Sequence, residues 1–238
     1  MTMTAVNPTT GKTIKTYEEL TPAAAYAAIA QTHEAFLDWK HRPFAERGRL
    51  MKRAAHILRE RAHEYAMLMA QEMGKPVKDG RAEAEKCAWA CDYYAENAQA
   101  FLRPEVIQTD ASKSYVAFQP LGVVLAVMPW NFPFWQVFRF AAPALMAGNA
   151  GVLKHASNVP ACALAIADVF RTAGFPDNLF RTLLIGSKQV DAVIENPLVR
   201  AVTLTGSTPA GKAVAKKAGD LLKKTVLELG GSGAYNVI

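Results

Sequence analysis

The sequence of 238 residues is 51% hydrophobic and 20% charged, which is typical of a globular protein with a sizeable core. Its formal net charge of +6 is spread along the chain without a basic face of interleaved aromatic residues, so nucleic acid is not an expected partner. No apolar run approaches the ~20 residues of a membrane span, and residues 1–10 lack the pattern of a secretory signal, so we expect a cytoplasmic protein without a membrane partner.

The first 110 residues have the apolar spacing of helices. The predicted helices cover residues 22–39, 44–73 and 77–101. Thr21 and Pro22 are typical of a capped helix start, and Gly74 followed by Pro76 is typical of a helix end. We therefore expect residues 1–110 to form a helical part that packs on the rest of the chain.

Three cysteines are too few for a disulfide framework, and their odd number fits a reducing compartment. Cys87 and Cys91 lie four residues apart on a predicted helix, and no further metal ligands cluster near them. We expect these two and Cys162 to be buried core thiols, and we expect no metal site. The densest basic stretch, residues 47–61, predicts a solvated helix face.

After residue 110, short apolar runs alternate with helical ones. The predicted strands cover residues 114–118, 122–128, 150–153, 179–185, 201–204, 225–228 and 234–238, and the predicted helices cover residues 133–146, 159–173, 188–195 and 209–218. This alternation predicts an α/β fold with a doubly wound parallel sheet, which binds ligands at the carboxyl ends of its strands.

The loop that directly follows the apolar run 122–128 has the sequence PWNFP. Its two prolines fix the loop and open the next helix. Between them lies Asn131, whose amide NH2 group can stabilise an oxyanion when it is held rigidly at such a junction. The alternative is that Asn131 only caps the helix that begins at about Pro133, a common role for asparagine.

Four segments in order resemble motifs of the aldehyde dehydrogenase superfamily. They are residues 120–133 (PLGVVLAVMPWNFP), 147–154 (AGNAGVLK), 205–211 (TGSTPAG) and 227–231 (LELGG). Because the resemblance extends over essentially the whole chain, it implies a Rossmann-type sheet preceded by an N-terminal helical segment. It also implies that residues 122–238 form the dinucleotide-binding domain and that residues 111–121 contain a strand of the family's oligomerisation hairpin.

The resemblance assigns two catalytic residues. Asn131 is expected to hold the oxyanion, and Glu228 is expected to be the general base that activates water. Glu228 follows Val226 and Leu227 on a predicted strand, and a carboxylate in such an apolar setting can serve as a base.

The resemblance also implies NAD or NADP as the cofactor. The expected cofactor-binding residues are Val127, Met128, Pro129, Trp130, Lys154, Ser157, Gly186, Thr205, Gly206, Ser207, Leu229 and Gly230. Thr205–Ser207 precede a predicted helix, whose free N–H groups suit a diphosphate. Ser157 stands where the family commonly has a glutamate for the adenosine ribose, and serine does not repel a 2′-phosphate, so NADP should be tolerated and NAD is not excluded.

Three residues are expected to contact the substrate: Phe132, Trp135 and Arg139. Arg139 stands where succinate-semialdehyde dehydrogenases of this family carry an arginine for the substrate carboxylate, and the wider pattern resembles their bacterial branch. A guanidinium binds a carboxylate through two parallel hydrogen bonds. The resemblance therefore implies a small acidic aldehyde as substrate; the alternative for Arg139 is a solvated helix face.

The family attacks the aldehyde with a cysteine that lies beyond its LELGG segment, and none of the three cysteines here matches it. We therefore expect this chain to be truncated before the catalytic domain and inactive alone, and the complete enzyme to be a homo-oligomer. Two alternatives remain open. The first is a binding module, which either stands alone or is a subunit completed by a second chain. The second is a structural or interaction protein that kept the fold and lost catalysis.

Overall fold

The computed structural model of the chain describes residues 2–231, so the strand predicted at 234–238 lies outside the described residues. In chain order the strands are β1 (Thr2–Val6), β2 (Thr13–Glu18), β3 (Glu105–Val106), β4 (Tyr115–Val116), β5 (Val123–Met128), β6 (Ala150–His155), β7 (Phe180–Thr182), β8 (Val199–Gly206) and β9 (Lys224–Leu229). The helices are α1 (Pro22–Trp39), α2 (Phe44–Glu60), α3 (Ala62–Met73), α4 (Val77–Phe101), α5 (Pro133–Met146), α6 (Pro160–Ala173), α7 (Val190–Glu195) and α8 (Thr208–Asp220).

The predicted parallel sheet is confirmed, with the strand order β7-β6-β5-β8-β9. The centre strand β5 is apolar and almost wholly buried, as expected of a strand that is covered on both faces. The chain winds outward from β5 in one direction through β6 and β7, and in the other through β8 and β9. The order therefore reverses at β5, and the carboxyl end of β5 is the place where such sheets bind ligands.

The N-terminal part differs from the prediction in containing strands. β1 and β2 form an antiparallel hairpin within residues 2–18, where no strand was predicted. Asn7 stabilises its turn, since its Oδ1 atom accepts hydrogen bonds from the Thr9 and Thr10 N–H groups. In β1 only Met3 and Ala5 are buried, which is the alternation of a half-buried strand.

The helix predicted over 44–73 is two helices, α2 and α3. They are separated at Arg61, whose φ of −101° and ψ of 17° leave the helical region. Neither proline nor glycine occupies this position, so nothing local in the sequence signals the break. The predicted end of α3 is confirmed, because Gly74 adopts a left-handed φ of 74°.

The helices α2, α3 and α4 pack on α5 and α6 of the sheet layer. One hydrophobic core contains residues of both parts, including Cys87, Cys91 and Cys162. The prediction of buried thiols is thus confirmed, and burial raises the pKa of all three.

The solvated face predicted over residues 47–61 is wrong at one end. Arg47 is buried and donates a 2.7 Å hydrogen bond to the Met146 carbonyl.

The strand predicted at 114–118 is found as the two residues of β4, which pair with β3 in a short antiparallel hairpin. All four residues of the two strands are exposed. Among the helices within residues 2–231, none combines the length and the apolar composition that crossing a bilayer requires.

Candidate active site

A cavity of about 380 Å³ opens at the carboxyl ends of β5, β8 and β9. It lies beside the point where the strand order reverses, where a doubly wound sheet binds its ligands. The residues that line it are Pro129, Trp130, Asn131, Gln136, Arg139, Thr205, Gly206, Ser207, Glu228, Leu229 and Gly230. All but Gln136 were predicted as site residues from the sequence, although they come from four separate segments.

The Asn131 side chain is exposed and lines the cavity. Its Oδ1 atom accepts a 3.1 Å hydrogen bond from the N–H group of Phe132. This bond turns the carbonyl oxygen toward the backbone, and the amide NH2 group has no hydrogen-bond partner within residues 2–231. The side chain therefore offers two N–H donors to a ligand in the cavity, as oxyanion stabilisation requires.

The alternative role of Asn131, as the cap of α5, does not fit the geometry. The residue at the N-cap position is Phe132, and no side chain from that position caps the helix. The first free amides of α5 belong to Phe134 and Trp135, and both donate to the Oε1 atom of Glu83, at 2.8 and 2.9 Å. A carboxylate from α4 thus replaces the local cap.

Glu83 and its partner Lys75 were not predicted as part of the site. Both side chains are buried and form an ion pair with each other. The Lys75 Nζ atom also lies 3.8 Å from the centroid of the Phe132 ring. A signal was present in the sequence, because Glu83 lies on the same face of α4 as Ala84, Cys87 and Cys91. A charged residue on an apolar helix face is unusual unless it has a partner.

The same arrangement occurs at α6. The carboxylate of Glu72, on α3, accepts hydrogen bonds of 2.8 and 2.9 Å from the N–H groups of Ala161 and Cys162. Burial raises the pKa of Glu72, and these two hydrogen bonds oppose the rise. Negative charge near a helix N-terminus is favourable, so the starts of α5 and α6 are both already satisfied by carboxylates of the protein.

Within residues 2–231, no carboxylate accepts a hydrogen bond from the start of α8. Ser207 caps this helix weakly, with its Oγ atom accepting from Ala210 N–H at 3.4 Å. The Thr208 N–H group has no hydrogen-bond partner within residues 2–231. Of the three long helices that follow strands of the sheet, α8 is therefore the one whose N-terminus can accept an anion such as a diphosphate.

Lys154, Ser157 and Gly186 lie on the other side of β5. Lys154 is the next-to-last residue of β6 and is paired in register with Val127 of β5. It is half-buried, and burial lowers the pKa of its ammonium group while the charge of Glu19 raises it. Ser157 is exposed in the turn that follows. Lys154 and Ser157 thus lie at and just beyond the carboxyl end of β6, beside the carboxyl end of β5 at Met128, and Gly186 follows β7 by four residues.

His155, which was not predicted as a site residue, links β6 to the start of α5. Its Nδ1 atom accepts a hydrogen bond from Ala156 N–H, so Nε2 carries the proton and donates to the Pro133 carbonyl at 2.9 Å. Burial lowers the pKa of His155 to about 4. The imidazole is therefore neutral near pH 7 and acts as a fixed link to the PWNFP loop.

Glu228 is not in the apolar setting that the sequence predicted. Its side chain is 55% exposed, and its Oε2 atom lies 3.3 Å from Nη1 of Arg139. The Nη2 atom of Arg139 donates a 3.1 Å hydrogen bond to Thr205 Oγ1. Arg139 is thus turned toward the sheet and the cavity, so the alternative of a solvated helix face does not describe it.

The other two residues predicted to contact substrate lie apart from Arg139. The Phe132 ring lies over Lys75, in the loop between α3 and α4, and the Trp135 ring lies 4.0 Å from Nζ of Lys86, which belongs to α4. On α5 the cavity is instead shared by Arg139 and Gln136, one turn apart. The Oε1 atom of Gln136 is buried and has no hydrogen-bond partner among the described residues 2–231. Gln136 was not predicted from the sequence, and only the three-dimensional packing places it in the cavity instead of its neighbour Trp135.

Among known protein families, a model of the aldehyde dehydrogenase family matches residues 1–238. The chain is 53% identical, over its whole length, to a probable succinate-semialdehyde dehydrogenase [NADP(+)] of Synechocystis. It is 52% identical over 241 aligned residues to succinate-semialdehyde dehydrogenase [NADP(+)] 1 of Mycobacterium tuberculosis. The crystal structure of succinic semialdehyde dehydrogenase from Streptococcus pyogenes with NADP+ superposes with a TM-score of 0.93 at 36% identity.

These similarities cover the chain nearly completely but the relatives only in part. The alignments take in all of this chain but 52% and 53% of the two sequence relatives, and 96% of this chain against 50% of the Streptococcus pyogenes chain. The chain thus spans about half the length of the curated relatives it matches.

Proposed function

The chain belongs to the aldehyde dehydrogenase family, and we propose that it provides the cofactor-binding half of an enzyme that oxidises a small acidic aldehyde. The proposed substrate is succinate semialdehyde, oxidised to the dicarboxylic acid with NADP or NAD. The observation that carries the proposal is the cavity that brings Asn131, Arg139 and Glu228 together beside the free N-terminus of α8.

The residues present fit a dinucleotide. The α8 N-terminus and the Ser207 hydroxyl suit the diphosphate, and Lys154 and Ser157 suit the adenosine ribose and a 2′-phosphate. Leu229, Gly230 and the backbone of residues 127–130 are proposed to contact the nicotinamide half. When bound, the cofactor accepts a hydride from the substrate carbon. The similarity to relatives named for NADP(+) supports NADP.

The geometry of the cavity supports the proposed catalytic roles. The free amide NH2 group of Asn131 is proposed to donate hydrogen bonds to the oxyanion that forms when the aldehyde carbon is attacked. Glu228 is proposed to take a proton from the water that releases the acid product. Arg139 is proposed to bind the distal carboxylate of the substrate, for which its guanidinium supplies two parallel donors.

The nucleophile is proposed to come from outside these 238 residues. The sequence has three cysteines, and each is buried with a raised pKa, which disfavours the reactive thiolate. We therefore propose that the chain alone binds cofactor and does not turn over aldehyde. Homo-oligomerisation through the exposed β3–β4 hairpin is also part of the proposal, since Val106 and Tyr115 there are 73% and 51% exposed.

The testing experiment is a fluorescence titration of the purified chain with NADPH and NADH. Saturable binding that Lys154→Ala and Ser207→Ala weaken, while the control Lys216→Ala does not, supports the proposed site. Lys216 is a suitable control because its side chain is 80% exposed on the far part of α8. Absence of binding by a chain that circular dichroism shows to be folded overturns the cofactor assignment. Turnover of succinate semialdehyde is then measured in the protein that contains this chain. If the chain binds the cofactor but Asn131→Ala does not change turnover, the function that remains supported is that of a nucleotide-binding module.

A further inference from the structure

We propose that Lys75 and Glu83 are positioning residues that hold the PWNFP loop, and through it the Asn131 side chain, in the orientation that catalysis needs. This inference rests on the proposed function of Asn131. It concerns a buried ion pair that lies beneath the loop and outside the cavity.

The contacts of Glu83 reach the loop through the backbone. Its Oε1 atom accepts the N–H groups of Phe134 and Trp135, at 2.8 and 2.9 Å, and its Oε2 atom is paired with Lys75. Pro133 has no N–H group, so these are the first two amides of α5. Without Glu83 both donors would lack this partner, and the one at Phe134 would be fully buried, which is unfavourable.

Lys75 contacts the loop through a side chain. Its ammonium group lies 3.8 Å from the centre of the Phe132 ring, within the range of a cation–π contact. Phe132 is adjacent to Asn131, and its N–H group donates to the Asn131 Oδ1 atom. The pair therefore contacts the ring of Phe132, whose N–H group orients the Asn131 amide, and the backbone of the next two residues that carry an N–H group, Phe134 and Trp135.

A cap supplied by α4 does more than satisfy α5. A local cap would move together with its own helix, whereas Glu83 ties the start of α5 to a separate helix of the core. Reaction rates are sensitive to displacements of about 1 Å in groups that meet the reacting atoms. The ion pair thus controls the position of a group that it does not touch.

The chain offers a matched control in Glu72. This buried glutamate caps α6 with hydrogen bonds of the same lengths as those of Glu83, to Ala161 and Cys162. No catalytic group is proposed at the start of α6. Loss of the Glu72 cap should therefore destabilise the fold as loss of the Glu83 cap does, but it should leave the Asn131 loop in place.

The first measurement is amide hydrogen exchange in the full chain by NMR. We expect the Phe134 and Trp135 amides to be protected in the wild type and to lose that protection in Glu83→Ala, while Glu72→Ala exposes only Ala161 and Cys162. The double variant Lys75→Met/Glu83→Met removes both charges and the acceptor oxygen and keeps the side-chain lengths, so it provides a second comparison if Glu83→Ala does not fold. Unchanged protection at Phe134 in these variants overturns the inference.

The second measurement is kcat and KM of aldehyde oxidation in the protein that contains this chain. We expect Glu83→Gln to lower kcat about tenfold with little change in KM, a smaller loss than the ~10²-fold typical of a missing oxyanion donor. Glu72→Gln should leave kcat unchanged.

The decisive comparison is the double variant Glu83→Gln/Asn131→Ala. If Glu83 acts through Asn131, the kcat of the double variant equals that of the single variant Asn131→Ala. A further loss in the double variant, or an equal loss in Glu72→Gln, overturns the positioning role. If Asn131→Ala alone leaves kcat unchanged, the proposed function of Asn131 fails, and the exchange measurement still reports separately on whether Glu83 holds the loop.

Discussion

The Nη1 atom of Arg139 lies 3.3 Å from the Oε2 atom of Glu228, so the proposed substrate-binding group and the proposed base form an ion pair across the cavity. Their side chains are 35% and 55% exposed, and pairs this accessible contribute at most about 1 kcal/mol. A substrate carboxylate can therefore replace Glu228 at Arg139 at small cost. The exchange would release Glu228 to act on water.

The first prediction concerns this exchange. Arg139→Ala should raise KM for succinate semialdehyde about 10- to 100-fold, because it removes hydrogen bonds between charged groups. KM for an uncharged aldehyde of similar length should change little. The measurement is steady-state kinetics with both aldehydes in the protein that contains this chain. Equal effects on the two aldehydes would show that Arg139 does not recognise a carboxylate.

The second prediction concerns cofactor choice. Ser157→Glu places a carboxylate in the exposed turn after β6, where it should repel a 2′-phosphate. We expect the Kd for NADPH to rise about tenfold or more and the Kd for NADH to change little. Asn158→Glu, which adds the same charge at the next exposed residue, is the control. If both variants weaken NADPH binding equally, general charge repulsion is the cause, and Ser157 has no special position.

The elements that the sequence predicted well are those whose signals are local. β5 is an uninterrupted apolar run, and α1 begins at a capping Thr21, whose Oγ1 atom accepts from Ala24 N–H at 3.1 Å. The carboxyl ends of parallel strands meet at one edge of the sheet, so predicting the strands also placed Asn131 and Glu228 near each other.

The features that the sequence did not predict depend on contacts between distant segments. Glu83 caps a helix that begins only at Pro133, far along the chain, and no spacing within α4 specifies that partner. The exposure of Glu228 was also missed, because the apolar neighbours of a residue along a strand do not determine what packs over its side chain. Val226, two residues earlier on the same strand, is itself 63% exposed.

The third prediction concerns the packing of α3 on α4. A Cβ atom added at Gly80 of α4 would lie 2.9 Å from the Ala66 Cα atom, which belongs to the backbone and cannot move aside easily. Gly80→Ala should therefore lower the free energy of unfolding by about 1–3 kcal/mol, in spite of the higher helix propensity of alanine. The measurement is urea unfolding. Gly219→Ala is the control, because open space surrounds that position in α8, and it should be neutral or stabilising. The packing argument is wrong if the two variants behave alike.

The fourth prediction concerns the dependence of stability on pH. The pKa of His155 is lowered from 6.5 to about 4. Burial is the main cause and the nearby charge of Lys154 acts in the same direction, whereas hydrogen bonds to the backbone of Pro133 and Met128 oppose the shift. Between these two pH values the unfolded chain binds a proton that the folded chain does not. Stability is therefore fully present above about pH 6.5 and falls as the pH drops toward 4, by at most on the order of 3 kcal/mol from this group.

His155→Gln separates this contribution from that of the carboxylates. Glutamine does not titrate, and its Nε2 group can still donate to the Pro133 carbonyl that His155 binds at 2.9 Å. Urea unfolding of both proteins at several pH values should show the wild type losing more stability than the variant between pH 6.5 and 4. Parallel curves would mean that His155 is protonated as easily in the folded chain as in the unfolded one. In that case the buried neutral imidazole would not be what holds Pro133 to the end of β6.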